Sequence, residues 1–332
     1  MEKAASFLSS LLGGGRDGSA APTSEPPAAT VASILIYPIK SCRGVTVPQA
    51  PVTSFGFRWD RQWLVVNAKG RALTQRVEPK MALVEVELPP EAFDEDWQPT
   101  LDSCLAIRAP GMGTLKVPLA AERMQLTPLG DVSVWEWSGA AYDEGAEAAE
   151  WFSTYFGKPS RLVRFKEESE IRPTDPDYAQ GYKITFTDAF PFLVASQGSL
   201  DALNELLKEP VPISRFRPNI LVDGCHPYAE DLWKTLEINQ LTFEGVKLCG
   251  RCKVPAVNQD TGIMGTEPTE TMLTFRSGEV IRPSHKNKQK VYFGQNLVCK
   301  ESVSAKGKGR IVMVGDPVYV LQTYPSSSDV PA

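Results

Sequence analysis

Twenty-seven prolines and 25 glycines in 332 residues punctuate this chain too densely for an architecture of long helices. Each interior proline removes a backbone donor and clashes with the preceding helical turn. Many short strands with a few helices are therefore expected. Strand chemistry is present at Val31-Ala-Ser-Ile-Leu-Ile-Tyr, Gln62-Trp-Leu-Val-Val, Leu115-Lys-Val-Pro-Leu and Arg161-Leu-Val-Arg-Phe. The alternation Leu83-Val-Glu-Val-Glu-Leu predicts a half-buried strand with its glutamates outward. Ala146, Ala149, Phe152 and Phe156 recur at helical spacing and Gly157 follows, which predicts a helix closed by a left-handed glycine. Beyond a Pro/Asp/Glu-rich connection over 167–178, Lys183-Ile-Thr-Phe-Thr and Phe192-Leu-Val-Ala read as strands. Ser199 is expected to cap a helix carrying Leu200, Leu203, Leu206 and Leu207 on one face. Further strands are expected within 219–222, 236–248, 290–298 and 311–321. The connections are too short for repeated βαβ units, so the fold class is α+β, mainly β, with barrel or sandwich-like halves and appended helices.

At about 150 residues per domain the length suggests two domains, each able to bury its own core. The expected division is a disordered tail over 1–31, a β-rich domain over 32–166, a second domain over 167–325 and a flexible tail over 326–332. Forty acidic residues against 35 lysines and arginines give a net charge of −5. Binding driven by phosphate neutralisation needs a basic excess, so a nucleic-acid partner is not expected. No apolar run reaches the length of a membrane span. Six scattered cysteines without a secretory signal point to reduced thiols. The first residues carry Lys3 and Arg16 but also Glu2 and Asp17, a weak targeting signal that leaves mitochondrion or cytoplasm as the compartment.

The sharpest local feature is Cys249-Gly-Arg-Cys252, directly after an apolar run. Zinc would need a second ligand pair, which two histidines and the remaining cysteines do not supply at paired spacing. A thioredoxin-like site would need the pair at a helix start, and Val254-Pro255 follows instead. There remains a thiolate beside Arg251, a cation able to lower a thiol pKa, against the alternative of two small buried hydrophobes. Lys40, Arg61, Arg76 and Arg217 stand in turn contexts that suit phosphate or carboxylate recognition, with the Ser41 hydroxyl next to Lys40. Surface ion pairing is the alternative for each. Asp260-Thr-Gly reads foremost as a turn, and the clusters Lys286/Lys288/Lys290 and Lys306/Lys308/Arg310 as solvated loops.

In chain order, Tyr37-Pro-Ile-Lys-Ser-Cys, Asp60-Arg-Gln-Trp-Leu-Val, Asp188 with Pro191-Phe-Leu, Arg217-Pro-Asn, Arg251-Cys252 with Asp260-Thr-Gly, and Phe293-Gly-Gln resemble the MOSC proteins, and within them the amidoxime-reducing component family. The resemblance runs from about Ser33 to Leu321. It implies an N-terminal β-rich part followed by a MOSC β-barrel, with a pterin dithiolene molybdenum cofactor between them. By similarity Lys40, Ser41, Arg61, Arg217 and Asn219 would hold pterin and phosphate, and Cys252 would ligate molybdenum. Asp188 would lie near the metal, with Arg251 and Gln295 around it. The chain departs from the family at Asn258-Gln259, where Asp-Pro is expected, and in lacking the N-terminal membrane anchor of the mitochondrial members.

The resemblance implies reduction of small N-hydroxylated compounds such as amidoximes and hydroxylamines. Cytochrome b5 and its NADH-dependent reductase would be the electron donors. A non-catalytic molybdenum cofactor carrier is the alternative from another class. Sulfur transfer to the cofactor is a further one, but it requires a pyridoxal-phosphate domain for which 332 residues leave no room.

Overall fold

The computed structural model describes residues 26–120, 127–304 and 309–332. The tail expected over 1–31 lies, up to residue 25, outside them, as do Lys306 and Lys308. The first half carries β1 (Ala29–Ile36), β2 (Val45–Val47), β3 (Gln49–Thr53), β4 (Gly56–Phe57) and β5 (Trp63–Asn67). It continues with β6 (Glu85–Glu87), β7 (Cys104–Arg108), β8 (Leu115–Pro118), β9 (Thr127–Val134), β10 (Trp137–Asp143), α1 (Ala146–Phe156) and β11 (Ser160–Phe165). The second half carries β12 (Phe192–Ser196), α2 (Gln197–Asn204), β13 (Ile220–Asp223), β14 (Trp233–Ile238) and β15 (Leu241–Gly250). Then follow α3 (Thr269–Phe275), α4 (Gly278–Ile281), β16 (Tyr292–Cys299), β17 (Ile311–Met313) and β18 (Pro317–Thr323). The mainly β reading holds.

Seven strands close into a barrel in the order β13, β12, β16, β15, β14, β18, β1, with β1 pairing back onto β13. β1 comes from the expected N-terminal part, so the barrel needs a stave from well before residue 167. Only β12 and β13 run parallel, and α2 supplies the crossover between them that a parallel pair requires. β5, β11, β10 and β9 form a separate antiparallel sheet, and β6, β7 and β8 a third. β6 shows the expected alternation: Glu85 and Glu87 exposed, Val86 buried. Apolar side chains of the barrel interior, such as Ile34, Phe243 and Leu297, share one continuous core with Trp63, Phe93 and Phe152 from the first half. That burial ties the two halves together, because it cannot be kept if they separate.

Local chemistry accounts for several boundaries. Gly157 at φ 67° accepts the left-handed conformation that ends α1. The expected single run over 236–248 is a hairpin, because Asn239 and Gln240 turn at φ 46° and 64° and pair Ile238 with Leu241. The run over 311–321 breaks similarly at Gly315. Two expectations are corrected. The cap of α2 is Ser196, whose side chain accepts from the Ser199 backbone N–H, so Ser199 lies inside the first turn and Leu206 and Leu207 beyond the helix. Lys183–Thr187 is no strand: the Ile184 and Phe186 N–H groups donate to the carbonyls of Arg172 and Arg61 in neighbouring loops. The residues expected as a flexible C-terminal tail are anchored, with Val330 fully buried and the Leu248 N–H donating to the Pro331 carbonyl at 2.8 Å.

β15 bulges between Gly245 and Lys247 where it crosses β16. A Cβ on Gly245 would fall inside the contact distance of the Trp233 carbonyl oxygen and the Gln295 amide. Gly245→Ala is expected to cost about 2–3 kcal/mol, as overpacking against backbone does. A shift in the urea midpoint at constant m-value measures it.

Candidate functional site

Two loops from the first half meet at the barrel mouth. The chain leaving β1 at Tyr37 is laced to the loop before β5: Lys40 N–H donates to Trp63 O at 2.8 Å, Arg61 N–H to Tyr37 O at 2.8 Å and Trp63 N–H to Pro38 O at 3.0 Å. Asp60 Oδ1 receives the Tyr37 N–H at 2.9 Å and Asp60 Oδ2 the Arg61 guanidinium at 2.5 Å. The turns carry strain where the candidate residues sit. Ser41, Arg61 and Arg217 have φ of 68°, 49° and 57°, a region that non-glycine residues rarely occupy without a functional reason.

These residues line one cavity of about 100 Å³ between the loops and the barrel. Lys40, Ser41, Arg61, Asp188, Arg217, Asn219, Arg251 and Cys252 all reach it, together with Cys249 and Thr187. Gln295 does not: it is fully buried inside the barrel, its amide atoms without partners, and its neighbour Asn296 lines the cavity instead. Two other assignments need qualification by geometry. The Asn219 amide donates to the Leu35 carbonyl at 3.2 Å and so also clamps β1. The Arg251 guanidinium donates to Cys249 Sγ at 2.8 Å and to Phe216 O at 2.7 Å. The cation therefore sits on the first cysteine of the pair rather than the second. Burial pushes the Cys249 thiol up, partly offset by Arg251. Asp260 is outside the cavity, in a turn in which Asn258 Oδ1 accepts the N–H groups of residues 260 and 261, as the turn reading expects.

The electrostatics of the cavity are lopsided toward positive charge. Arg61 and Arg217 both stack on the Tyr37 ring, with 4.3 and 4.2 Å between guanidinium carbon and ring centre. Arg61 has Asp60 as partner, whereas no hydrogen bond from the Arg217 guanidinium is found among the described residues. Burial, and with it the like charge of Arg61, pulls Arg217 down to about 10. Lys40 is brought down to about 8, by burial first, with Asp188 pulling the other way. Its ammonium meets Asp188 Oδ1 at 2.5 Å. Asp188 is largely exposed, and the neighbouring charges of Lys40, Arg76 and Arg61 hold its carboxyl well below the usual range.

Sequence reasoning missed three supports of this arrangement. Tyr37 is the shared platform for two guanidiniums, and its own hydroxyl is buried without a partner. Trp135 carries Arg76 at 4.2 Å and donates to Asp188 at 3.3 Å. Arg172 lies buried in the stretch that reads as a connection, and donates to the carbonyls of Thr185, Thr187 and Asp188 at 2.9, 2.5 and 3.0 Å. It fixes the loop that presents Asp188. The single arginine inside a Pro/Asp/Glu-rich segment was the available signal.

Among the described residues no group of three His, Cys, Asp or Glu side chains converges as a metal site.

The chain matches the MOSC N-terminal beta barrel domain over residues 28–159 and the MOSC domain over residues 181–319. It is 34% identical over 301 residues to mitochondrial amidoxime reducing component 2 of Bos taurus, covering 87% of this chain and 82% of that protein. It is 34% identical over 308 residues to mitochondrial amidoxime-reducing component 1 of Homo sapiens, covering 88% and 83%. A molybdenum cofactor sulfurase of Oryza sativa subsp. japonica is 30% identical over 312 residues, which cover 86% of this chain but 35% of that protein. With both domain models matched in order and a third of the residues shared along about four-fifths of such relatives, the chain belongs to the MOSC-domain proteins of the amidoxime-reducing component family.

Proposed function

We propose that the chain is a molybdenum-cofactor-dependent reductase of N-hydroxylated compounds. The observation that carries this reading is the pair of half-buried guanidiniums stacked on Tyr37, in the same small cavity as the Cys252 thiol. Like charges held together in a buried cavity attract an anion, and a phosphate-bearing ligand that also offers a metal to a thiolate satisfies both ends. The cavity surroundings fit such a group. Thr187 Oγ1 and Arg251 Nε, on residues that line the cavity, are buried without partners.

In this reading Lys40, Arg61 and Arg217 hold the phosphate and pterin, Ser41 adds a hydroxyl, and Cys252 is the protein thiolate on the metal. When bound, the cofactor supplies two-electron chemistry able to remove oxygen from nitrogen. The chain's residues bind and orient. Asp188, kept ionised by Lys40, Arg76 and Arg61, stays negative across the physiological range and keeps the Lys40 ammonium aimed into the cavity. Arg251, tied to Phe216 O and Cys249, holds the Cys249–Cys252 turn in place. Cytochrome b5 and its NADH-dependent reductase are the electron donors this reading calls for. The family relatives are named mitochondrial. No helix of the described residues is long and apolar enough to cross a membrane.

The test is metal and pterin analysis of the purified protein, followed by benzamidoxime turnover with cytochrome b5, its reductase and NADH. About one molybdenum per chain with turnover is the expected result. Molybdenum without turnover would assign the chain as a carrier, and one tightly bound zinc with no molybdenum would overturn the reading.

Lys40 gives the site a pH signature. Its folded value of about 8 lies below the ordinary lysine value. The charged form is needed for the anion, so anion retention should fall as pH rises above about 8. Folding stability of the ligand-free chain should rise across the window between about 8 and 10.5, where the unfolded chain holds the extra proton. The two opposite slopes, read by phosphate titration calorimetry and by thermal unfolding, should both vanish in Lys40→Met.

A further inference from the structure

Cys252 and Arg251 belong to two cavities at once. Besides the cationic cavity, they border an open cavity of about 430 Å³ on the other side of the Cys249–Cys252 turn. That volume falls in the usual range for small-molecule sites. Its walls are chemically different: Ala256, Met264 and Val291 are apolar, and besides the shared Arg251 the charged residues are Lys253, Lys290 and Glu270. One wall is a stiff loop. Gly265 N–H donates to Ala256 O at 2.8 Å, Asn258 N–H to Ile263 O at 2.8 Å and Gly262 N–H to Asn258 O at 2.9 Å. Ile263 and Met264 are nevertheless left 67% and 36% exposed at its tip. A second observation points to a ligand: Thr269, which also lines the cavity, keeps a buried hydroxyl without a partner.

We infer that this cavity is the approach and specificity site for the substrate, taking neutral compounds with an apolar, aryl-sized body and directing their polar N–O end to Cys252. The inference deepens the reductase reading and rests on it for the N–O chemistry. The route to the sulfur stands on geometry alone. An apolar wall of this size rewards a ring-bearing substrate, while a substrate with no body to bury gains nothing from it. Met264 and Gly265 then set which bodies fit, without touching the cations that hold the cofactor.

Gly265 offers a clean probe, because a Cβ there meets only the Ala256 carbonyl oxygen, at 3.7 Å. Gly265→Phe seats its Cβ without a backbone clash and adds a ring to a residue of the cavity wall. In the full-length chain free of cofactor, N-phenylmaleimide and iodoacetamide are compared for alkylation of Cys252, followed by peptide mass spectrometry. The variant should slow the aryl reagent about tenfold and the small reagent less than about threefold. In molybdenum-loaded protein it should raise KM for benzamidoxime about tenfold with kcat, molybdenum content and hydroxylamine turnover little changed. Unchanged phenylmaleimide kinetics, or equal slowing of both reagents, overturns the inference. If wild-type protein holds no molybdenum or turns over no benzamidoxime, the reductase reading falls, and the alkylation ratio alone still decides whether this cavity leads to Cys252.

Discussion

Serine in place of Cys252 should abolish amidoxime reduction, by on the order of a hundredfold or more per bound molybdenum, while Cys249→Ser keeps most of it. The two cysteines are three residues apart and border the same cavity, yet their surroundings differ. Cys249 Sγ is already engaged by the Arg251 guanidinium at 2.8 Å, an acceptor role that a serine oxygen can take over. Cys252 lies where the cationic cavity and the open cavity meet, with no hydrogen bond to its sulfur found among the described residues. A thiolate donates electron density to a soft metal in a way that a harder hydroxyl does not. Cys252→Ser should still fold, because the residue is only half-buried, and should retain pterin through Lys40, Arg61 and Arg217. A dithiol redox pair would respond differently, with both substitutions equally damaging, since such a pair works only together. Activity per bound molybdenum in the two variants separates these cases: equal loss removes the ligand assignment, and selective loss in Cys249→Ser transfers it.

The second large effect is expected at Arg217, with opposite signs for binding and folding. A charge-assisted hydrogen bond to phosphate contributes about 1.5–3 kcal/mol, so Arg217→Met should weaken cofactor retention roughly ten- to a hundredfold. The ligand-free protein should not lose stability and is expected to gain some. Arg217 has no carboxylate partner among its hydrogen bonds found in the described residues and sits half-buried beside Arg61 on the same tyrosine ring. Replacing a partly desolvated charge that faces a like charge by an apolar side chain is commonly neutral or stabilising. Asp60→Asn is the control, because Asp60 binds the Tyr37 N–H and the Arg61 guanidinium and its loss should destabilise the loop. Pterin content and thermal midpoint, measured on each variant, read the two quantities separately. A drop in midpoint with unchanged pterin in Arg217→Met would make this arginine a packing residue.

Much of the local architecture was legible because it depends on near neighbours. Helix α1 follows from apolar spacing and a terminal glycine, β6 from strict alternation, and the abundance of short strands from proline and glycine density. The candidate cations and Cys252 were legible as residue types in turn contexts, and their family order suggested that they act together. What the sequence could not display is anything that depends on contacts across long separations. Lys183–Thr187 has strand chemistry, yet its N–H groups find carbonyls in loops more than ten residues away, and that competition is settled only by the packed fold. Ser196 and Ser199 are equally good caps by type, and the buried Glu230 carboxylate that accepts from both hydroxyls comes from another element. Closure of the barrel by β1 against β13, the stacking of Arg61 and Arg217 on Tyr37, and the pairing of Arg251 with Cys249 are likewise tertiary. The sequence by itself determined the parts, since propensity and pattern are local. Their left-handed turns, their shared cavity and the second cavity behind Cys252 were decided by tertiary structure, because only the closed barrel brings residues near 40, 60, 188, 217 and 250 within reach of one another.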